Sequence, residues 1–154
     1  ILLIMDKIKV AIGSDHAGFE LKKFLIESLD ETLHFEDLGT DSTESCDFPD
    51  FANKVCKFIL TNKDYKGILI CGTGVGMSIA ANKIEGIRAS NVTDVETAIQ
   101  SVEHNNANVL CLGSNNLSEN LSKEIVNNFF SSLLLEEDRY VRRIEKITKI
   151  ENSN

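Results

Sequence analysis

The sequence has no tryptophan, only one proline among its 154 residues, and no apolar run long enough to cross a lipid bilayer. Positive charge is also scarce, since 16 Lys and Arg stand against 24 Asp and Glu and give a formal net charge of −8. This balance argues against nucleic acid or an acidic membrane surface as the main partner. The charge balance still allows the protein to bind an anionic small molecule, because a single site can carry a positive potential on a protein with a negative net charge.

The cysteines lack the C-x-x-C spacing and the nearby paired histidines that zinc sites and redox dithiols need. We therefore expect no bound metal. Reduced thiols are the natural interpretation, and they are typical of a cytoplasmic protein. The four cysteines are Cys46, Cys56, Cys71 and Cys111.

The length predicts one domain, which we expect to cover residues 5–154. Residues 1–4 precede Met5 and read Ile-Leu-Leu-Ile, which is too short for a signal peptide. We interpret them as an upstream start or as residues added during cloning.

Short β-like runs alternate with segments of helical period, and no β-hairpin signal interrupts them. The apolar runs predict strands over 8–12, 33–38, 67–71, 87–92 and 108–112. Helical stripes are predicted over 17–29, from Pro49 to 59, through 79–81, over 93–104, over 118–130 and over 136–151.

Residues 93–96 (Thr-Asp-Val-Glu) fit a capping box, and Ser118 is a candidate N-cap of the helix that follows it. The alternation predicts a Rossmann-like three-layer α/β/α sandwich with a five-stranded parallel sheet. The last helix is an addition beyond the sheet, where it can cross onto a second subunit. Ligands of such sheets bind at the carboxyl ends of the strands, so the site is expected there.

The most informative segment is 67–78, in which an apolar run ends at Cys71 and three alternating glycines follow. The N–H groups of Gly72, Gly74 and Gly76, with the next helix N-terminus, favour negative charge and the thiolate form of Cys71. The spacing differs from that of a dinucleotide-binding loop and lacks the lysine of a P-loop. The alternatives are a tight turn with a structural thiol, or an anion site beside a potential base.

Asp15 and His16 directly follow the first strand. They either cap the next helix, with the histidine in solvent, or face the same crevice as Cys71. His104 lies near a helix C-terminus, where a histidine often only interacts with the helix dipole. Arg139 and Arg143 share one helix face and form either a solvated face or a phosphate clamp.

Together these segments resemble the ribose-5-phosphate isomerase type B family of sugar-phosphate isomerases, over about residues 8–150. The matching pieces are Gly-Ser-Asp-His-Ala-Gly at 13–18, Cys-Gly-Thr-Gly-Val-Gly at 71–76, Ile-Ala-Ala-Asn-Lys at 79–83, Gly-Ile-Arg-Ala at 86–89, His-Asn at 104–105 and the pair Arg139/Arg143. Several such pieces in the right order are far more specific than any one of them.

The resemblance implies an enzyme that interconverts ribose 5-phosphate and ribulose 5-phosphate through an enediolate, in the non-oxidative branch of the pentose phosphate pathway. No metal or other cofactor is implied. The base that moves the proton would be Cys71, and the N–H groups of the glycine loop would stabilise the enediolate. Asp15 and His104, assisted by Thr73, would open the sugar ring.

The same resemblance implies that His16, Arg139 and Arg143 hold the phosphate. It further implies a homodimer or a dimer of dimers with shared sites, to which the partner chain supplies His104 and Asn105.

Two positions depart from the family pattern. Phe48 stands where a tyrosine is frequent, so a hydroxyl contact is absent. Asn115 stands where an arginine is common, so we expect weaker phosphate binding and one fewer contact from the partner subunit, with Arg142 as a candidate substitute.

The alternative functions inside the family are galactose-6-phosphate and allose-6-phosphate isomerase. Outside it, the alternative is a sugar-phosphate-binding protein without activity. A cysteine phosphatase is set aside, because Met77 and Ser78 stand where its phosphate-binding arginine would be.

Overall fold

A computed structural model describes residues 6–153, in which strands and helices alternate along the chain. The strands are β1 (Ile8–Ser14), β2 (Leu33–Asp37), β3 (Tyr65–Cys71), β4 (Ala89–Asn91) and β5 (Val109–Gly113). The helices are α1 (Phe19–Leu29), α2 (Phe48–Thr61), α3 (Val75–Ala81), α4 (Val95–Glu103), α5 (Glu119–Ser131) and α6 (Asp138–Asn152). The interpretation of residues 1–4 concerns a segment outside the described residues.

All five strands are parallel, in the order β2-β1-β3-β5-β4. The chain leaves β1 for β2 on one side and then returns to β3 on the other side. A crevice forms at such a reversal, beyond the carboxyl ends of the two strands that flank it. The predicted three-layer sandwich is confirmed, and its ligand crevice lies where β1 and β3 end.

The three central strands, β1, β3 and β5, are buried on both faces and alternate between two core layers. Ile12, Ile70 and Leu112 face the layer covered by α1, α4 and α5, whereas Leu69 and Cys111 face α2 and α3. This alternation follows from the two-residue period of a strand. It explains why the central strands read as continuous apolar runs.

Two predicted helix starts can be compared with the structure. Ser118 is the N-cap of α5, as predicted, and its hydroxyl accepts a hydrogen bond from the Leu121 N–H at 3.1 Å. The capping box at 93–96 is wrong by one residue. The N-cap of α4 is Asp94, whose carboxylate accepts the Thr97 N–H at 2.7 Å, because this side chain reaches the third helical N–H from its own position.

Strand ends also differ from the prediction. β1 continues two residues further, to Ser14, and β3 begins two residues earlier, at Tyr65. Both extensions pair with neighbouring strands, as in the register of Ser14 with Ile70. The apolar runs did not include these residues because pairing, and not hydrophobicity, extends the strands.

The added helix α6 leaves much of its apolar surface in contact with solvent. Val141, Ile147 and Ile150 are 37%, 46% and 67% exposed. Near the helix end, the Glu151 carboxylate accepts the Gly86 N–H at 2.8 Å. A cavity of about 710 Å³ separates Ile147 and Ile150 from the segment 82–90. Within residues 6–153, every helix is too short or too polar to span a membrane.

Candidate active site

Cys71 is the last residue of β3 and lies at the crevice, with 5% of its surface exposed. Its sulfur accepts a hydrogen bond from the backbone N–H of Gly74 at 3.1 Å. The positive end of an N–H dipole therefore faces the atom that would carry charge if the thiol acted as a base.

The glycine loop can approach this sulfur because Gly74 has a left-handed backbone, with φ of +80°. A Cβ at Gly76 would lie 2.7 Å from the Phe48 ring, so this ring closes the loop on one side. Thr73 is exposed, and its hydroxyl oxygen accepts the Val75 N–H at 3.3 Å. The Thr73 hydroxyl therefore acts as an acceptor toward the helix, and its proton is free to be donated to another oxygen.

Position 115 belongs to the same edge as the glycine loop. The N–H of Asn115 donates to the Gly72 carbonyl oxygen at 2.9 Å, and a Cβ at Gly72 would lie 3.0 Å from the amide nitrogen of Asn115. The structure therefore places Asn115 beside Gly72 of its own chain, next to the glycine loop.

Asp15 follows β1 and is held against the end of β3. Its N–H donates to the Ile70 carbonyl oxygen at 3.2 Å, and its carboxylate accepts the Gly18 N–H at 3.0 Å. The Ser114 hydroxyl lies 2.8 Å from the Ala17 carbonyl oxygen and 3.2 Å from that of Cys71. The ends of β1, β3 and β5 thus form one connected edge.

His16 is half-buried at the same edge, and its orientation is set by the loop between β2 and α2. The backbone N–H of Cys46 lies 3.2 Å from His16 Nδ1 and donates to it. Because Nδ1 accepts, the ring proton of the neutral imidazole belongs to Nε2. His16 is therefore prepared to donate from Nε2 to an oxygen atom of a ligand.

A buried lysine that sequence reasoning missed supports this loop. The Lys22 side chain is 1% exposed, and its ammonium group donates to the Asp37 carboxylate and to the Thr40 carbonyl oxygen, both at 2.6 Å. Lys22 lies on the buried face of α1. In the sequence, however, its position in the helical period is also consistent with a lysine at the border of the apolar face whose ammonium group reaches solvent. Only the tertiary contact reveals its role.

The other cysteines of the core differ from Cys71 in their surroundings. Burial raises the pKa of the Cys56 thiol to about 12. Burial also raises the pKa of Cys111 well above its ordinary value, with smaller contributions from Cys56 and Cys71. Both thiols are fully enclosed and lie away from the crevice opening, so neither is suited to proton transfer with a ligand.

His104 lies at the opposite edge of the sheet from Cys71. It is the C-cap of α4, just before β5 begins at Val109, whereas Cys71 pairs with Gly113 at the other end of β5. The four residue steps of β5 between these ends span about 13 Å. Asn105 is exposed beside His104. One chain therefore does not bring His104 and Asn105 to Cys71.

Arg139 belongs to the His104 edge and not to the His16 edge. Its Nη2 donates to the Tyr140 hydroxyl at 2.9 Å, and the Tyr140 ring is stacked on the His104 imidazole with 4.4 Å between centroids. Arg143 is exposed one turn further along α6. Tyr140 was missed at the sequence level, since a single tyrosine in an amphipathic helix carries no functional signal of its own.

The predicted residues thus form two groups. Those around the glycine loop lie at the carboxyl edge and are Asp15, His16, Cys71, Gly72, Thr73, Gly74 and Gly76. Those at the amino edge are His104, Asn105 and Arg139, with Arg143 nearby. Within residues 6–153, no three His, Cys, Asp or Glu side chains are grouped so that they could hold a metal ion.

A buried thiol beside backbone N–H donors, next to a carboxylate and an Nε2–H donor, is suited to moving a proton on a carbonyl compound and stabilising the resulting anion. The fold and the site therefore define an α/β enzyme with its reactive group at the switch point of a parallel sheet. Residues 10–147 match the ribose/galactose isomerase family.

Individual relatives agree with this match. Ribose-5-phosphate isomerase B of Escherichia coli is 42% identical over 144 residues, which cover 93% of this chain and 96% of that protein. The solved ribose 5-phosphate isomerase of Thermotoga maritima is 45% identical, with a TM-score of 0.89 over 94% of this chain and 99% of the other. The Mycoplasma genitalium enzyme, solved with bound ribulose-5-phosphate, is 40% identical, with a TM-score of 0.89 over 95% and 97%.

The chain belongs to the ribose/galactose isomerase family, as the resemblance of its motifs indicated, and it is an isomerase.

Proposed function

We propose that this enzyme interconverts D-ribose 5-phosphate and D-ribulose 5-phosphate, a reaction of the non-oxidative pentose phosphate pathway. The observation that carries the proposal is the Cys71 thiol at the end of β3, with the Gly74 N–H at 3.1 Å from its sulfur. The names of the solved relatives, one of them with ribulose-5-phosphate bound, support this choice of substrate.

The proposed chemical step is a proton transfer between two carbon atoms. The Cys71 thiolate removes the proton from C2 of the open-chain aldose, the C–H electron pair forms the C1–C2 double bond, and the carbonyl pair moves to O1. The thiol then returns the proton to C1, while the proton of O2 passes to O1 and leaves a ketone at C2. A positioned general base of this kind contributes about 10²–10⁴-fold to the rate.

The enediolate needs donors for its developing charge. In this proposal the glycine loop supplies them from Gly72 and Gly76, because the N–H of Gly74 already donates to the sulfur of Cys71. Thr73 keeps its hydroxyl proton for a substrate oxygen, since its oxygen accepts the Val75 N–H.

Ring opening and phosphate binding each use residues from both the carboxyl edge and the amino edge. We assign Asp15 at the carboxyl edge, and His104 at the amino edge, to proton transfer at the ring oxygen and the C1 hydroxyl. His16 donates from Nε2 to the phosphate, and Arg139 and Arg143 provide the guanidinium groups that bind phosphate oxygens in a planar geometry.

These assignments require a second copy of the chain. Since His104 and Cys71 lie at opposite edges of one sheet, His104 of the partner subunit must complete each site, which supports a homodimer. Apolar side chains at the surface of α3 favour the same conclusion, because Val75 and Ile79 are 49% and 58% exposed immediately after the glycine loop. A dimer of dimers would repeat this arrangement.

The first test is turnover of ribose 5-phosphate by the purified chain and by Cys71→Ala. We expect the variant to lose about 10²–10⁴-fold in kcat, which is the contribution of a general base. Cys56→Ala is the matched control, since it removes another buried cysteine outside the crevice and should keep the activity. If the parent does not convert ribose 5-phosphate but does convert a six-carbon aldose phosphate, the six-carbon compound replaces ribose 5-phosphate as the proposed substrate.

The shared site has its own test. Cys71→Ala and His104→Asn should each be nearly inactive, but unfolding and refolding them together forms mixed dimers that hold one intact site. A statistical mixture should recover about one quarter of the parent activity, because half of its dimers are mixed and each has one of two sites intact. If the mixed dimers form and no activity returns, the sites are not shared.

A further inference from the structure

The His104 imidazole is covered by an aromatic ring from α6. The rings of His104 and Tyr140 lie 4.4 Å apart and are inclined by only 8°, so they are stacked face to face. Tyr140 is 8% exposed, whereas the neighbouring residues of the same helix are exposed. A stack of this kind fixes the plane of the imidazole and therefore the directions of its two nitrogen atoms.

The same tyrosine holds the guanidinium group of Arg139. Nη2 of Arg139 donates to the Tyr140 hydroxyl at 2.9 Å, and the guanidinium carbon lies 4.6 Å from the centre of the Tyr140 ring. Glu137 accepts from Nε of Arg139 at 3.0 Å. Nη1 of Arg139 has no hydrogen-bond partner among residues 6–153, so it is available to bind an oxygen atom of a phosphate.

The backbone around Tyr140 is tied to the end of α4. The Leu135 N–H donates to the Glu103 carbonyl oxygen at 3.0 Å, one residue before His104. The His104 N–H in turn donates to the Gln100 carbonyl oxygen at 2.9 Å. A backbone hydrogen bond therefore joins the end of α4 that carries the imidazole to the segment that leads into α6 and the phenol ring.

We propose that Tyr140 is a positioning residue that holds the His104 imidazole and the Arg139 guanidinium in one fixed arrangement. It does not touch the substrate. Its ring orients the group assigned to ring opening, and its hydroxyl orients a group assigned to the phosphate. The inference rests on the proposed function and adds a residue to which that function gave no role.

The two contacts of Tyr140 predict two separable defects. Tyr140→Phe keeps the stacked ring and removes the acceptor of Arg139, so the KM for sugar phosphates should rise while kcat changes little. Tyr140→Leu also removes the stack, so ring opening should fail. Because a misplacement of about 1 Å in a catalytic group can cost about 100-fold, we expect a further loss of about 10- to 100-fold in kcat/KM for ribose 5-phosphate.

An analogue that cannot form a ring separates these effects. The 4-deoxy analogue of ribose 5-phosphate has the same chain length but lacks the C4 oxygen that closes the furanose, and its O5 carries the phosphate. The proton transfer by Cys71 is possible on this analogue without ring opening. Tyr140→Leu should therefore keep the parent's kcat on it, and lose activity selectively on ribose 5-phosphate.

The experiment measures kcat and KM for both compounds with the parent, Tyr140→Phe and Tyr140→Leu. Tyr65 is the matched control, because it also lies near a histidine ring, His34 at 6.4 Å, but at the far end of β3. Tyr65→Leu should not change the ratio of kcat/KM between the two compounds. A merely structural role for Tyr140 would lower activity on both compounds equally.

The outcomes are distinguishable. If the parent is active and Tyr140→Leu keeps the parent's ratio of kcat/KM between ribose 5-phosphate and the 4-deoxy analogue, this inference is overturned and the proposed function stands. If Tyr140→Leu does not fold, Tyr140→Phe decides, since an unchanged KM in that variant also contradicts the inference. A parent without turnover on ribose 5-phosphate would overturn the proposed function first.

Discussion

Gly74 is a position at which we expect one added methyl group to disturb the site through both backbone strain and crowding. Its φ of +80° lies in the left-handed region, where an L-residue with a Cβ costs about 1–2 kcal/mol. The new Cβ would also lie 2.4 Å from the side-chain oxygen of Asn91 and 3.0 Å from the carbonyl carbon of Leu112. Making room for an extra carbon in packed surroundings costs about 1–3 kcal/mol.

We therefore expect Gly74→Ala to lower the free energy of unfolding by about 2–5 kcal/mol, the sum of these two effects. For a chain of this length, that loss corresponds to a decrease in Tm of about 4–20 °C. Urea unfolding followed by circular dichroism, together with a thermal scan, measures both quantities. Turnover should fall as well, because the Gly74 N–H would no longer be held against the Cys71 sulfur.

Two further variants separate backbone strain from crowding. Gly74→Ala combined with Asn91→Ala removes one clash but neither the positive φ nor the contact with the Leu112 backbone, so a loss of at least about 1–2 kcal/mol should remain. The Cβ of Gly76→Ala would meet the Phe48 ring first, at 2.7 Å, so Phe48→Leu should largely restore the stability of this variant. The reasoning is refuted if Gly74→Ala alone stays within about 0.5 kcal/mol of the parent, the range of neutral surface substitutions.

Two more variants test the buried ion pair and a helix cap. Asp37→Ala leaves the buried Lys22 ammonium with the Thr40 carbonyl as its remaining hydrogen-bond acceptor, so it should cost about 3 kcal/mol in urea unfolding at pH 7, near the lower limit for a broken buried pair. Lys22→Met leaves the Asp37 carboxylate, which is 43% exposed, and should cost less, about 1–2 kcal/mol. If Lys22→Met destabilises the protein more than Asp37→Ala does, the assignment of a buried ammonium stabilised by Asp37 is contradicted. The Thr97 N–H holds the pKa of Asp94 below its usual value, so this stabilisation is present above the ordinary pKa and is lost as the pH falls through the folded-state pKa. Asp94→Asn keeps the cap without a titrating group, so its stability should fall less than that of the parent as the pH is lowered below about 4, and parallel pH profiles would disprove this cause.

Much of the fold could be predicted because it is encoded in short segments. Residues 67–71 form a continuous apolar run, which is what burial on both faces of a parallel sheet requires. Ser118 caps its helix through a contact only three residues away. Asp94 shows the limit of this reasoning, since several side chains near a helix start can cap it and the choice between Thr93 and Asp94 depends on the backbone conformation.

The glycine loop is the part of the candidate site that was most visible in the sequence. Alternating glycines after a buried strand indicate a backbone that approaches a ligand closely, and the structure places the Gly74 N–H on the Cys71 sulfur. Asp15 and His16 could also be placed, because they follow the strand next to β3. All of these residues lie within a few positions of a strand end, so the topology alone brings them to one edge.

The sequence by itself determined the order of strands and helices, the carboxyl edge with its thiol, and the family motifs. Only the tertiary structure decided that His104 lies at the opposite edge, that Arg139 and Tyr140 belong with it, and that Lys22 is buried against Asp37. These contacts join residues of different elements. They depend on how helices pack across a sheet, and the period of a single helix or strand contains no information about which residue it will meet.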